Sequence, residues 1–473
     1  MLFPDTDPGW ASRPDRLARD PPDQRHLDRV YVRIRVGVVR QHEQRIPLAD
    51  PLAANAWTAR TAGRSGPTGD QTCSAATVRA TMIVETLGGV MGRNLVVCLD
   101  GTGNRPRDSE GTNVEILYSL LDLSNPEEQI AYYDPGVGTL ANAGAWTPIG
   151  RAASRILGLL FGFGLRENLG EAYTWLMANY RDPSDRIYIF GFSRGAFTAR
   201  ALAGMLWKIG ILQPGAQNLV PYAVSLYALP ASRWRRPAPK ETGPAGAKPK
   251  KPEPADDKDP KFKAMNHLRW TYARFDHIQV EYLGLWDTVR AGGILGWDLH
   301  WPETHALPNV KAGRHALSID EKRRPYTLLR TGRSTVEQAW FAGVHSDVGG
   351  TFRRQDNQPP ERLSRIPLKW MVEGATANGL KLKDDHPTEL KISKANASGV
   401  LHTMPKAWAL MIYKHRTIPL DPRAHVHASV IDRVNDPKTH YNPPIPKNHR
   451  VIDPDWALPY KPPEERTPKD ADA

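Results

Sequence analysis

The five residues Gly191-Phe192-Ser193-Arg194-Gly195 place the tightest limit on how this chain can fold. They follow a short apolar β-type run, Ile187 to Phe190, and a helix-like pattern begins at once and runs toward Leu212. Strand, tight turn and helix with serine at the apex of G-x-S-x-G make a nucleophile elbow. Gly191 and Gly195 carry no Cβ, so the turn can be sharp and the helix can lie close to the strand. The elbow would project Ser193 from the edge of a sheet, beside a helix N-terminus that favours developing negative charge. The letters alone recur by chance; the flanking strand and helix are what give them weight.

Along the chain, further β-type runs end in loops rich in Asp and Gly. Asn94 to Leu99 ends in Asp100-Gly101-Thr102-Gly103-Asn104, a loop able to present backbone N–H groups. A phosphate loop is the rival there, but the Lys-[Ser/Thr] of a Walker motif is missing. Asn113 to Leu121 predicts a helix capped by Thr112, and Ile130 to Tyr133 a second strand. Leu140 to Leu165 is rich in Gly and Leu, suited to packing in the core, to covering a site or to touching lipid. Arg166 to Tyr180 is amphipathic and completes a β-α-β unit. His277 to Trp286 is a strand ending in Asp287-Thr288-Val289, and Val310 to Ile319 is expected to be helical. Val336 to Phe341 is a strand leading into Gly343-Val-His345-Ser-Asp347-Val-Gly-Gly350, and Leu363 to Gly379 an amphipathic helix.

Composition narrows the class of molecule. The net charge of +12 permits an anionic partner, but the basic residues are scattered and no nucleic-acid-binding signature is present, so nucleic acid is not expected as a partner. The two cysteines, Cys73 and Cys98, imply neither a disulfide framework nor a cysteine-rich zinc site. No run reaches the about 18 apolar residues of a membrane span. The first residues lack the basic-then-apolar pattern of a secretory signal, so a protein cytoplasmic as synthesised is expected.

Three strands thus deliver Ser193, Asp287 and His345 at their C-terminal ends, in the order Ser, Asp, His. A serine hydroxyl is a poor nucleophile until a base takes its proton, and an imidazole can both take and return it. A carboxylate holds the imidazole in one tautomer and stabilises its cation. Asp347, two residues after the histidine, and Asp298 and Asp100 compete with Asp287 for that part; Asp100 and Asp347 also suit the ordering of their loops.

Six ordered motifs carry a family resemblance: Asp100-Gly-Thr, Tyr133-Asp-Pro-Gly-Val-Gly-Thr139, Gly191-Phe-Ser-Arg-Gly-Ala196, Trp286-Asp-Thr-Val289, Arg314-His-Ala-Leu317 and Gly343-Val-His-Ser-Asp-Val-Gly-Gly350. Together they resemble a bacterial α/β-hydrolase domain formerly of unknown function, a family that includes the type VI secretion phospholipase effectors of the first class. The resemblance implies an α/β fold with a mostly parallel central sheet and helices on both faces. It implies Ser193 as nucleophile, Asp287 as acid and His345 as base. It also implies an oxyanion hole made by the backbone N–H of Arg194 and one from the Gly101–Thr102–Gly103 loop. A phospholipid or other lipid-like ester as substrate follows by analogy, with peripheral membrane contact, a delivery or immunity protein as partner and signal-independent secretion.

The expected organisation is an N-terminal extension over 1–92, poorly ordered or lying upstream of a true start at Met82 or Met91. The hydrolase domain is expected over 93–445, with a Pro- and Lys-rich insertion at 233–263, and a polar tail over 446–473. The expected activity is a serine hydrolase cleaving a carboxylic ester, needing no cofactor and no metal. Two rivals stay open: a catalytically silent binding module of the same fold, and a metal-dependent phosphoesterase using Asp100, His345 and Asp347.

Overall fold

The computed structural model describes residues 92–101, 111–136, 164–228, 260–289, 301–323, 326–332, 334–352, 362–384, 388–403, 416–418 and 425–462, with two short strands nearer the N-terminus. The chain divides into two compact units, Met1–Glu85 and Thr86–Ala473. In the first, β1 (Tyr31–Val32) and β2 (Ile46–Pro47) pair antiparallel, Tyr31 opposite Pro47 and Val32 opposite Ile46. The expectations for the rest of residues 1–91, including the two alternative starts, lie outside the described residues, as do those for 140–163 and for 233–259.

The second unit is built on β3 (Asn94–Leu99), β4 (Gln129–Asp134), β5 (Arg186–Phe192), β8 (Val280–Trp286), β9 (Val310–Ser318), β10 (Val336–Phe341), β11 (His425–His427) and β12 (Arg450–Ile452). They form one sheet in the order β12-β11-β10-β9-β8-β5-β3-β4, every pairing parallel. Two shorter strands, β6 (Ile211–Leu212) and β7 (Ala273–Phe275), make a separate antiparallel ribbon.

Strands covered on both faces read as continuous apolar runs, and this explains why β3 and β5 stand out in the sequence. Leu95, Val97, Ile187 and Ile189 point into one core, shared with α2 (Leu165–Asn179), α3 (Arg194–Lys208), α4 (Val220–Tyr227) and α5 (Pro260–Tyr272). Val96, Cys98, Tyr188 and Phe190 point into the other, shared with α1 (Asn113–Leu120) and the helix Arg365–Ala377. The expected cap is present: the Thr112 hydroxyl accepts from the N–H of Glu115 at 3.1 Å.

Three expectations need correction. Residues 310–318 are the strand β9, not a helix; they fill the slot between β8 and β10 and pair with both. Gly313 is what allows it, since a Cβ there would lie 2.5 Å from the carbonyl oxygen of Leu283 on β8. The sheet also runs past residue 445: β12 pairs with β11, and Trp456 beyond it is 1% exposed, so residues 450–456 are packed on the sheet where a polar tail was expected. Finally, residues 260–263 belong to α5 rather than to the insertion, with proline tolerated in the first turn, where its missing N–H costs no hydrogen bond.

Candidate active site

From β3 the chain steps to β4 on one side and then to β5 on the other. The crevice at the C-terminal ends of β3 and β5 is therefore the switch point of the sheet, where open α/β sheets bind ligands. Ser193 stands there between β5 and α3, its backbone in a strained positive-φ conformation (φ 61°, ψ −119°). Its N–H donates to Trp286 O at 3.0 Å and its own carbonyl accepts from Val289 at 3.4 Å, so the end of β8 holds the turn. Both glycines of the elbow are obligatory. A Cβ on Gly195 would lie 2.2 Å from Leu99 O, and one on Gly191 2.6 Å from Gly195 O.

Asp287 follows β8, also at positive φ (42°), and its N–H donates to Ala316 O on β9 at 2.8 Å. His345 opens the short helix α6 (His345–Gly349) after β10, behind Gly343 at φ 112°. The structure brings these three side chains together. The Ser193 Oγ lies 2.8 Å from His345 Nε2, and His345 Nδ1 lies 2.5 Å from Asp287 Oδ2. All three are buried, Ser193 with 6% of its surface exposed.

Burial by itself would raise the Asp287 carboxyl, but the Arg416 guanidinium and the His345 hydrogen bond outweigh it and hold the group well below the usual carboxylate range. Burial dominates for His345 and lowers its imidazole below the ordinary value, against the opposing pull of Asp287 and Glu321. A neutral imidazole beside an ionised carboxylate donates from Nδ1 and accepts at Nε2, the tautomer that can take a proton from Ser193. The ring is gripped by Phe192, stacked at 4.7 Å between centroids, and by the edge of Tyr326 at 4.9 Å.

The other expected residues fall in distinct places. Asp100 holds its own loop: Oδ2 accepts from Thr112 Oγ at 2.6 Å and from Tyr133 OH at 2.8 Å, and Oδ1 accepts from the N–H of Gly101 at 2.5 Å. The Gly101 N–H is thus committed to Asp100, which departs from its expected part in an oxyanion hole; Thr102 lies outside the described residues. Arg194, directly after Ser193, begins α3. Asp347 Oδ2 accepts from the N–H of Val344 at 3.0 Å, and Oδ1 pairs with His402 Nδ1 at 2.6 Å, so Asp347 orders the loop and does not touch His345. Among the described residues, no three His, Cys, Asp or Glu side chains converge as a metal-ligand group, and Asp100, His345 and Asp347 are each engaged separately. A small cavity beside the first turn of α3 is lined by Asp100, Asp134, Asn168, Arg194 and Thr198.

Several residues of the site escaped sequence reasoning. Arg416 Nη1 donates to Asp287 Oδ1 at 2.6 Å. Glu321 accepts from the His345 N–H at 3.3 Å and forms a buried pair with Arg323, whose guanidinium lies over the Tyr326 ring. The charged run after β9 could have flagged Glu321 had that segment been read as a strand. Nothing in the sequence around Arg416 marks it.

A wholly parallel sheet covered by helices on both faces, with serine, acid and histidine at the C-terminal ends of β5, β8 and β10, defines an α/β-hydrolase-like fold. The chain belongs to the family described as "T6SS, Phospholipase effector Tle1-like, catalytic domain", whose model matches residues 93–374. Uncharacterized protein YEL023C of Saccharomyces cerevisiae is 33% identical over 243 residues, 50% of this chain and 32% of that protein, so the chain spans about a third of that relative's length. The crystal structure of an uncharacterized protein from Pseudomonas aeruginosa matches with a TM-score of 0.33 at 20% identity, over 62% of this chain and 46% of that one. The structure of the Tle1 effector bound to the VgrG spike of the Type 6 secretion system matches with a TM-score of 0.35 at 15% identity, over 69% of this chain and 82% of the other. Among the described residues, no helix is long and apolar enough to cross a membrane.

Proposed function

We propose that this protein is a serine hydrolase that cleaves a carboxylic ester of a lipid-like substrate, a phospholipid above all. The observation that carries the reading is the unbroken contact Ser193 Oγ–His345 Nε2–His345 Nδ1–Asp287 Oδ2, at 2.8 Å and 2.5 Å. Membership of a phospholipase effector family supports the substrate class. The proposal extends to contact with a lipid surface and to export through a delivery partner.

In this mechanism Ser193 Oγ attacks the ester carbonyl carbon while His345 Nε2 takes the hydroxyl proton. The carbonyl π electrons move to oxygen, and the helix N-terminus at Arg194, with its backbone N–H, stabilises the oxyanion. His345 returns the proton to the departing alcohol, leaving an acyl group on Ser193. Water, deprotonated by the same imidazole, then adds to the acyl carbon and releases the acid, and the proton goes back to Ser193. Asp287 stays ionised throughout and stabilises the imidazolium of each half-reaction.

The test is a fluorophosphonate probe together with a panel of phospholipids and short-chain esters, products read by mass spectrometry. Ser193 should carry the label, and Ser193→Ala should lose both labelling and hydrolysis, by about 10⁴-fold or more. Turnover in that variant equal to wild type ends the proposal.

A further inference from the structure

Asp287 is gripped from the side away from His345. Its Oδ1 accepts from Arg416 Nη1 at 2.6 Å and from the Ser318 N–H at 3.0 Å, which leaves Oδ2 for His345. The same Arg416 Nη1 donates to Ser318 O at 3.0 Å, and Nη2 donates to Tyr326 O at 2.8 Å. Tyr326 in turn sets its ring edge against the His345 imidazole. One guanidinium, 8% exposed, therefore braces both the carboxylate and the wall of the histidine. A planar fork with several fixed donors can hold this geometry, whereas a single ammonium cannot reach all three acceptors at once.

We propose that Arg416, from beyond the 93–374 segment that the family model matches, is a positioning residue: it fixes Asp287 so that one oxygen alone faces His345, and it shapes the field in which His345 works. The inference rests on the serine-hydrolase reading of this site. It differs from an ordinary structural ion pair in its consequence for pH. The charged and titratable groups facing His345 are Asp287, Glu321 and Arg416, with Tyr326 at its edge. Arg323 is paired with Glu321, and Asp347 on the same helix is turned to His402. Behind Asp287, His315 is buried and accepts from the Thr288 N–H at 3.2 Å. Arg416 is the cation in this group that opposes an imidazolium at 345, so its removal makes His345 easier to protonate.

The experiment compares the full chain with Arg416→Gln and Arg416→Lys, reading ester turnover and probe labelling against pH and following the His345 imidazole by ¹⁵N NMR. Arg416→Gln should lose about 10²-fold in kcat through misplacement of the pair, and the acid limb of kcat/KM should move up by about one pH unit. The NMR titration of His345 should move with it. Arg416→Lys keeps the charge, so its limb should stay at the wild-type position while kcat recovers only in part. A folded Arg416→Gln that still labels, with limb and NMR titration unmoved, overturns the proposal. Should the Gln variant fail to fold, a folded Lys variant with full wild-type kcat overturns it instead. Failure of wild type to label at all sinks the hydrolase reading, and the NMR titration still reports whether Arg416 acts on His345.

Discussion

Replacing Asp287 by Asn is the sharpest test of how the buried carboxylate works. Its two oxygens face three donors: Arg416 and the Ser318 N–H on Oδ1, and His345 Nδ1 on Oδ2. An amide has one acceptor and one donor end, so one side must give way. Turning the NH₂ toward Arg416 and Ser318 sets donors against a cation and a peptide N–H. Turning it toward His345 costs less, because the imidazole can answer by moving its own proton. Nδ1 then accepts, Nε2 carries the hydrogen, and the lone pair that takes the Ser193 proton is gone. The expected loss in kcat is about 10⁴-fold, with KM little changed, because the groups that contact substrate stay in place. Part of the charge balance around Arg416 is also lost, so a fall in stability of about 1–3 kcal/mol accompanies it. The assay is turnover of a short-chain ester and the second-order rate of fluorophosphonate labelling, with thermal unfolding as a check that the variant is folded. Asp347→Asn is the companion control and should stay within about tenfold of wild type, since that carboxylate serves Val344 and His402. A folded Asp287→Asn within tenfold of wild type would refute the reasoning.

Gly195→Ala should abolish soluble expression or probe labelling, because the new methyl meets the backbone oxygens of Leu99 and Asp100 at 2.2 and 2.4 Å. Gly170→Ala, in α2, would find Val220 at 3.6 Å and should be neutral or stabilising by up to about 1 kcal/mol in urea unfolding; the reverse ranking of the two would contradict the packing. Burial lowers His345 from its ordinary 6.5, so the acid limb of wild-type kcat/KM should lie below that pH, and a limb at 7 or above would show the imidazole is not held as described. The sign for stability agrees: the folded state binds fewer protons, so this contribution is whole above 6.5 and is lost as pH falls through the folded value. Arg200, fully buried with its guanidinium pushed down to about 9 by burial, donates to the carbonyls of Thr304, Leu329 and Arg330. Arg200→Met strands those acceptors and should cost about 3 kcal/mol in urea unfolding; a loss under about 1 kcal/mol would mean they find other donors.

How much of the site was legible follows from how local each signal is. The elbow is contiguous, so Gly191, Ser193 and Gly195 announce it wherever the chain goes afterwards. Residues 310–318 are the opposite case. Val-Lys-Ala-Gly-Arg-His-Ala-Leu-Ser has no alternation, and only the open slot between β8 and β10 makes it a strand. A helical pattern over 310–319 gives no reason to look at Glu321, three residues beyond the strand that forms there. Arg416 had no local signal, because its role exists only once the chain returns to Asp287 from 129 residues away.

The choice between Asp287 and Asp347 shows the same division, and helix geometry decides it. Asp347 stands two residues after His345 on α6, and side chains that far apart on a helix point about 200° away from each other. Its carboxylate instead folds back over its own turn to cap Val344, as an acid in a first helical turn tends to. Asp287 reaches His345 Nδ1 from a different strand, placed there by the parallel pairing of β8 with β9 and by the bond from its N–H to Ala316 O. A carboxylate that must press on an imidazole from outside its own helix has to come from another part of the fold. The acid nearest in sequence is therefore the one least able to serve, and the sheet register selects its partner.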